Sequence, residues 1–187
     1  MIAGRLGGRT LAAPPGDATR PTGARVKEAL FSILGDVTDL RVLDLYAGSG
    51  ALGIEAVSRG ASSVVFVESA RPALSCLREN LTKLQLESAA TVLPARVESA
   101  LGQLRKYGPF GLVLCDPPWR DVKSAYSGLI ALANADLLAA GARVALEHAA
   151  KDPLPEPESG SRLRVYDERR WGDTAIALFE PADAPVP

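Results

Sequence analysis

At 187 residues, 47% hydrophobic and 23% charged, the chain has the composition of a single soluble domain with enough length for a full core. No apolar run approaches the roughly 18–20 residues of a membrane span, and MIAGRLGGRTLAAPP lacks the apolar stretch of a signal peptide, so a cytoplasmic protein is expected. The formal net charge is only −1, but residues 1–34 hold Arg5, Arg9, Arg20, Arg25 and Lys27 against Asp17 and Glu28, a local +3 that suits a polyanionic partner.

Residues 1–21 are rich in Gly and Pro, with β-like pieces at Ile2–Leu6 and Arg9–Ala12 around a Gly7-Gly8 turn; a small β-hairpin arm is expected there. Thr22 or Gly23 can cap a helix whose apolar face is Val26, Ala29, Leu30, Ile33 and Leu34, ending at Gly35. From Arg41 the pattern alternates. Strands are predicted at Val42–Leu45, Ser63–Val67, Thr91–Leu93, Leu112–Cys115 and Ala142–Glu147, with helical patterns between them. The clearest helix is 71–86, with Pro72 in its first turn and Leu74, Leu77, Leu81 and Leu84 on one face. Such alternation predicts an α/β fold, a parallel sheet with helices on both faces. Beyond the Asp152–Gly160 loop, Leu163–Tyr166 and Thr174–Phe179 follow one another without a helix and predict an antiparallel hairpin at one edge. The main domain is thus 22–181, with 182–187 a disordered tail.

Cys76 and Cys115 lie in apolar contexts and read as buried thiols. The only histidine, His148, closes an apolar strand and reads as structural. With no Cys/His cluster and no Ser–His or Cys–His pair, neither a metal nor a histidine-based reaction is expected.

Ligand-binding patterns begin at VLDLYAGSGALGIEA, which follows a strand and opens a helix. Gly48 and Gly50 let the backbone turn tightly and approach a ligand, and Gly48 to Gly53 fit G-x-G-x-x-G. The second strand ends on Glu68, twenty residues after Gly48, where an acid can accept the hydroxyls of a ribose. Asp44 stands close to the glycine turn, where it would repel a pyrophosphate but suit a sulfonium or ammonium group. S-adenosylmethionine therefore fits better than NAD or FAD.

The fourth strand runs into Asp116-Pro117-Pro118-Trp119, at the sheet edge where ligands of open α/β sheets bind. Methyl transfer to an exocyclic amino group accounts for each residue. The Asp116 carboxylate and the Pro117 carbonyl can accept the two N–H bonds of the amine and aim its lone pair. The prolines hold those acceptors in place, and Trp119 offers a flat face to a base that has left its stack.

DLYAGSGALGIEAVSRGASSVVFVE and VLCDPPW resemble class I S-adenosylmethionine-dependent methyltransferases, and RPTGARVKEALFSIL with AGRLGGR resembles the RsmD type, the 16S rRNA (guanine(966)-N2)-methyltransferases. The resemblance runs from Ile2 to the terminal WGDTAIALFE. It implies a Rossmann-like fold with a mostly parallel seven-stranded sheet and an antiparallel C-terminal edge hairpin. It also implies methylation of guanine N2 in 16S rRNA, within the 30S subunit or an assembly intermediate. With no apolar span, no metal-ligand cluster and no obvious interface stripe, a monomer without metal or membrane partner is expected. Asp44, Tyr46, Ala47, Gly48, Ser49, Gly50, Glu68, Ser69, Arg96 and Val97 would then bind cofactor. Asp116 and Pro117 would be catalytic, and Pro118 and Trp119 would hold the base. Arg5, Arg9, Arg20, Thr22 and Arg25 would grip RNA. Three departures from the family pattern stand out: Gly23-Ala24 where Thr-Asp is common, LPARVES with Arg96 where many relatives place an adenine-reading acid, and Trp119 where Phe or Tyr is commoner. The tetrad alone also fits an N6-adenine or glutamine-amide methyltransferase. From other classes, an NAD-dependent oxidoreductase or a noncatalytic RNA-binding module are the rivals.

Overall fold

The computed structural model describes residues 1–13, 23–155 and 160–182. Seven strands form one sheet: β1 (Arg41–Leu45), β2 (Ser63–Glu68), β3 (Ala90–Pro94), β4 (Phe110–Cys115), β5 (Leu138–Ala149), β6 (Leu163–Trp171) and β7 (Thr174–Pro181). Their order is β3-β2-β1-β4-β5-β7-β6. The first five are parallel, and β7 runs antiparallel between β5 and β6. The helices are α1 (Ala24–Leu34), α2 (Ala51–Ser58), α3 (Arg71–Leu84), α4 (Val97–Leu104) and α5 (Val122–Asn134).

Alternation along the central strands divides the core into two layers. Val42, Val64, Phe66, Leu112, Leu114 and Ala145 face α1, α2 and α3. Leu43, Leu45, Val65, Val113, Val144 and Leu146 face α4 and α5. The helix ends follow local chemistry. α1 starts at Gly23, whose carbonyl accepts from the Lys27 amide, and stops at Gly35, whose φ of 68° turns the chain out of the helix.

The predicted strands and the C-terminal edge hairpin are present, most of them longer than the apolar runs alone suggested; β5 reaches Ala149 and β6 reaches Trp171. The polar residues of β6 hide its extent from a hydrophobicity reading, because it is an edge strand with a largely exposed surface. It carries the ion pairs Arg164–Glu180, Arg169–Asp167 and Arg170–Glu168, and a bulge between Val165 and Asp167.

One expectation is corrected. Residues 1–13 form no β-strand; Gly4–Leu6 is a 3-10 turn instead. The chain still reverses, since the Gly8 amide donates to the Met1 carbonyl and the Met1 ammonium to the Arg9 carbonyl. The backbone that a hairpin would pair with itself is instead spent on α2 and α3: the Ile2 and Ala3 amides donate to the Glu55 carboxylate, Leu6 to Ser58 Oγ and Ala12 to Asn80 Oδ1. The segment is a strap laid on the domain. The links at Arg20 and Thr22 and the expected tail from 183 onward lie outside the described residues.

Candidate active site

Three adjacent strands, β2, β1 and β4, end at the same edge of the sheet, and each delivers an acid there. From β1, Asp44 is 1% exposed and its Oδ2 accepts the Gly53 amide at 2.8 Å. That bond ties the strand to the first turns of α2 and fixes the carboxylate under the loop of residues 46–50. Gly48 (φ 55°) and Gly50 (φ 83°) take left-handed backbone there without cost, and Tyr46 (φ 57°) takes it despite its β-carbon, the kind of local strain found at ligand sites. A β-carbon at Gly50 would lie 2.4 Å from Leu77 Cδ1, whereas one at Gly48 would meet nothing closer than 4.0 Å, so the loop is packed on the protein side and open around Gly48.

From β2, Glu68 reaches back to the loop. Its Oε2 accepts the Gly48 amide at 2.8 Å, and its Oε1 accepts the amides of Ser69 and Ala70. The acid expected to meet a ribose thus also clamps the glycine loop to β2. From β4, the Asp116 amide donates to the Leu45 carbonyl at 3.4 Å, tying the start of the tetrad to β1. Pro117 is buried, Pro118 is exposed, and Trp119 opens a short 3-10 turn with 38% of its surface exposed. A tryptophan left so open beside a rigid buried strand is a ready stacking face.

Burial pushes the Asp44 carboxyl well above the usual carboxylate range; the Gly53 amide opposes this, while Asp116 and Glu68 add to it by repulsion. The Cys115 thiol is likewise pushed up, by burial first and then by Asp116 and Asp44, so it stays a protonated core residue rather than a nucleophile. Burial also raises the Tyr46 phenol, with Cys115, Glu98 and Asp121 acting in the same sense. The carboxyls of Asp44, Asp116 and Glu68 thus repel one another at this edge, an arrangement better suited to a cationic ligand than to an anionic one.

The remaining expected residues fall into groups. Ala47 is buried and its amide donates to the Val67 carbonyl, and the Ser49 carbonyl accepts from Asn80 Nδ2 at 3.0 Å. Arg96 and half-buried Val97 begin α4, after β3; the Arg96 guanidinium is exposed and lies 3.6 Å from Glu98, which also accepts Ser124 Oγ. Arg5 and Arg9 are exposed on the N-terminal strap, and Arg25 is exposed in the first turn of α1. His148 is buried on the far face of β5 from Asp44, with Nδ1 3.1 Å from the Ala149 carbonyl and Nε2 3.8 Å from Glu168. Among the described residues no group of His, Cys, Asp and Glu could hold a metal ion, and no helix is long and apolar enough to cross a membrane.

Two polar residues that sequence reasoning passed over hold the site together. Asn80 links the glycine loop to the strap, donating to the carbonyls of both Ser49 and Ala12. Glu55, fully buried, receives the Ile2 and Ala3 amides and pairs with Arg59 and Lys27. The available signal was a polar residue on an otherwise apolar helix face: Asn80 among Leu77, Leu81 and Leu84, and Glu55 within GIEAVS.

A glycine loop over a buried acid, a second acid closing the next strand and a D-P-P-W turn, on a sheet of order 3-2-1-4-5-7-6, define a class I methyltransferase. A precorrin-6y C5,15-methyltransferase from Geobacter metallireducens, only 14% identical, shares that fold at a TM-score of 0.64 over 90% of this chain and 92% of its own. Residues 1–180 match the family model described as Conserved hypothetical protein 95, and the chain belongs to that family, of the RsmD type. It is 32% identical over 182 residues to the ribosomal RNA small subunit methyltransferase D of Haemophilus influenzae, covering 96% of this chain and 92% of that protein. The solved structure of a hypothetical protein from Thermus thermophilus superposes at a TM-score of 0.79 with 30% identity, covering 95% of this chain and 96% of its own. The oxidoreductase reading falls with these matches.

Proposed function

We propose that this enzyme transfers a methyl group from S-adenosylmethionine to the exocyclic N2 amine of a guanine in 16S rRNA, acting as a cytoplasmic monomer on the small subunit or its assembly intermediate. The observation that carries the reading is the Asp116–Trp119 turn, held by β4 and β1 at the same edge as the glycine loop and Asp44. The name of the Haemophilus relative supports the rRNA target.

The residues fit this cofactor in charge and shape: a buried acid beside a loop open at Gly48 suits a cationic, phosphate-free nucleoside. When bound, it supplies a methyl group on a sulfonium. Asp44 would favour the positive end, Tyr46 to Gly50 would pass around it, and Glu68 with Ser69 would face the ribose, while the chain near Arg96 and Val97 would flank the adenine. Asp116 and the Pro117 carbonyl accept the N–H bonds of the guanine amine, which restores the lone pair that the ring otherwise delocalises; as the N–C bond forms the donor's S–C bond breaks, and the Asp116 carboxylate would take the proton that the methylated amine sheds. Pro118 and Trp119 grip the flipped base, the indole contributing about 1–3 kcal/mol by stacking. Arg5, Arg9 and Arg25, together with Arg20 and Thr22, would hold the phosphate backbone.

The test is direct. Labelled S-adenosylmethionine is incubated with 30S particles or partly assembled 16S rRNA, and the modified nucleotide is mapped. An N2-methylguanine in 16S rRNA supports the proposal; label found only in DNA adenine or in a protein amide overturns it, as does an absence of cofactor binding by calorimetry.

A further inference from the structure

The tetrad alone does not choose between guanine N2 and adenine N6, but a second acid, Glu147, stands level with it at the sheet edge. A water-sized niche lies between α1, α2, the ends of β4 and β5 and the start of β7, lined by Leu30, Leu52, Leu114, Cys115, Ala145 and Ile176 together with Glu147. Cys115 of β4 pairs in register with Leu146 of β5, so the next residue on each parallel strand, Asp116 and Glu147, falls at the same level of the sheet edge. Ala145 belongs to the core layer beneath α1–α3 and Leu146 to the opposite layer, so alternation puts Glu147 on the face that also holds Asp44. Glu147 is half-buried and flanked in register by Ile176 of β7.

We propose that Glu147 is the specificity-determining residue for guanine, its carboxylate accepting the N1–H of the base whose N2 amine is held by Asp116 and Pro117. Guanine presents N1–H and N2–H as neighbouring donors, matching two neighbouring acids. Adenine presents N1 as an acceptor, and its lone pair would face the carboxylate. This inference rests on the amino-methyltransferase reading above and names what that reading leaves open, the choice of base.

The experiment compares two RNAs in the same 16S context, one with guanine and one with 2,6-diaminopurine at the methylated position. Diaminopurine keeps the 2-amino group but has no N1–H. Wild-type enzyme is expected to prefer guanine by about 100-fold or more in kcat/KM, since sites built around a substrate N–H reject analogues lacking it. Glu147→Gln, whose amide can donate to N1, should shrink that preference at least about 10-fold with S-adenosylmethionine affinity unchanged by calorimetry. Glu147→Asp, which keeps the charge, should keep the preference at reduced kcat/KM. A Glu147→Gln enzyme with the wild-type preference overturns the proposal, and so does one that has lost cofactor binding. A wild-type enzyme that binds cofactor but methylates no RNA guanine overturns the underlying reading and this inference with it.

Discussion

Burial makes Asp44 costly to the free protein. Its carboxyl titrates above the ordinary value of 3.8 because burial disfavours the charge, with Asp116 and Glu68 adding repulsion. A carboxyl raised by folding binds its proton more tightly in the folded chain, so it favours folding at low pH and loses that contribution as pH rises from about 4 through its folded value. Asp44→Asn keeps an acceptor for the Gly53 amide while removing the charge. It should raise the melting temperature of the cofactor-free protein at pH 7 and weaken S-adenosylmethionine binding by about 10–100-fold, the worth of a charged hydrogen bond of about 1.5–3 kcal/mol. Asp116→Ala should do the reverse: transfer falls by about 100–1,000-fold, as when one preorganised polar group is removed, while calorimetry finds cofactor affinity nearly intact. Gly53 belongs with this pair, because a β-carbon there would stand 2.9 Å from Asp44 Oδ2 and 2.4 Å from Phe66 Cε1. Glu68 and Asp116 were legible in the sequence because each ends an apolar run, and Asp44 because it interrupts one, where an acid has no business in a core. Glu147 was not, since within RVALEHAA only the β4–β5 register shows that it stands beside Asp116.

Among the elements, the strap of residues 1–13 departs most from its sequence pattern. Local alternation around Gly7-Gly8 suited a hairpin, but backbone groups go to the best available partners, and a buried glutamate 52 and 53 residues along the chain offers charged ones. No local rule reports such a partner. Burial alone would raise the Glu55 carboxyl, yet the Ile2 and Ala3 amides, Arg59 and Lys27 outweigh it and hold the group below its ordinary 4.5. A depressed carboxyl stabilises the fold above its unfolded value, and that contribution is lost as pH falls from about 4.5 through the folded value. Glu55→Gln should therefore flatten the acid limb of a urea-stability profile. Glu55→Ala should cost about 3–5 kcal/mol, as breaking a buried ion pair does, and expose the first dozen residues to limited proteolysis. Because Asn80 joins the strap to the Ser49 carbonyl, either variant is expected to loosen the glycine loop as well.

For the whole molecule, the alternation of apolar runs was enough to specify a parallel sheet flanked by helices, since each layer must be buried on both faces. Sheet order and the full lengths of β5 and β6 required the three-dimensional register. Charge is the other property of the whole: an acidic body carries exposed arginines on the strap and on α1. If RNA phosphates are met there, Arg5→Ala and Arg9→Ala should each lower the slope of log affinity against log salt by about 0.7–0.9, with binding weakened uniformly across sequences.

The two rims of the sheet have a consequence for the protein in a concentrated solution. β3 is five residues long and stops at Pro94, which offers no amide to a visiting chain. β6 is nine residues long, but its bulge and its ladder of arginine–carboxylate pairs make a poor template for a foreign strand. Replacing Arg164, Asp167 and Arg169 with threonine would leave Val165 and Tyr166 on a rim with only Glu168 and Arg170 of its five charged residues, and light scattering should then detect self-association at concentrations where the native protein stays dispersed. An arginine-rich, bulged far edge of this kind discourages one molecule's sheet from being continued by the next.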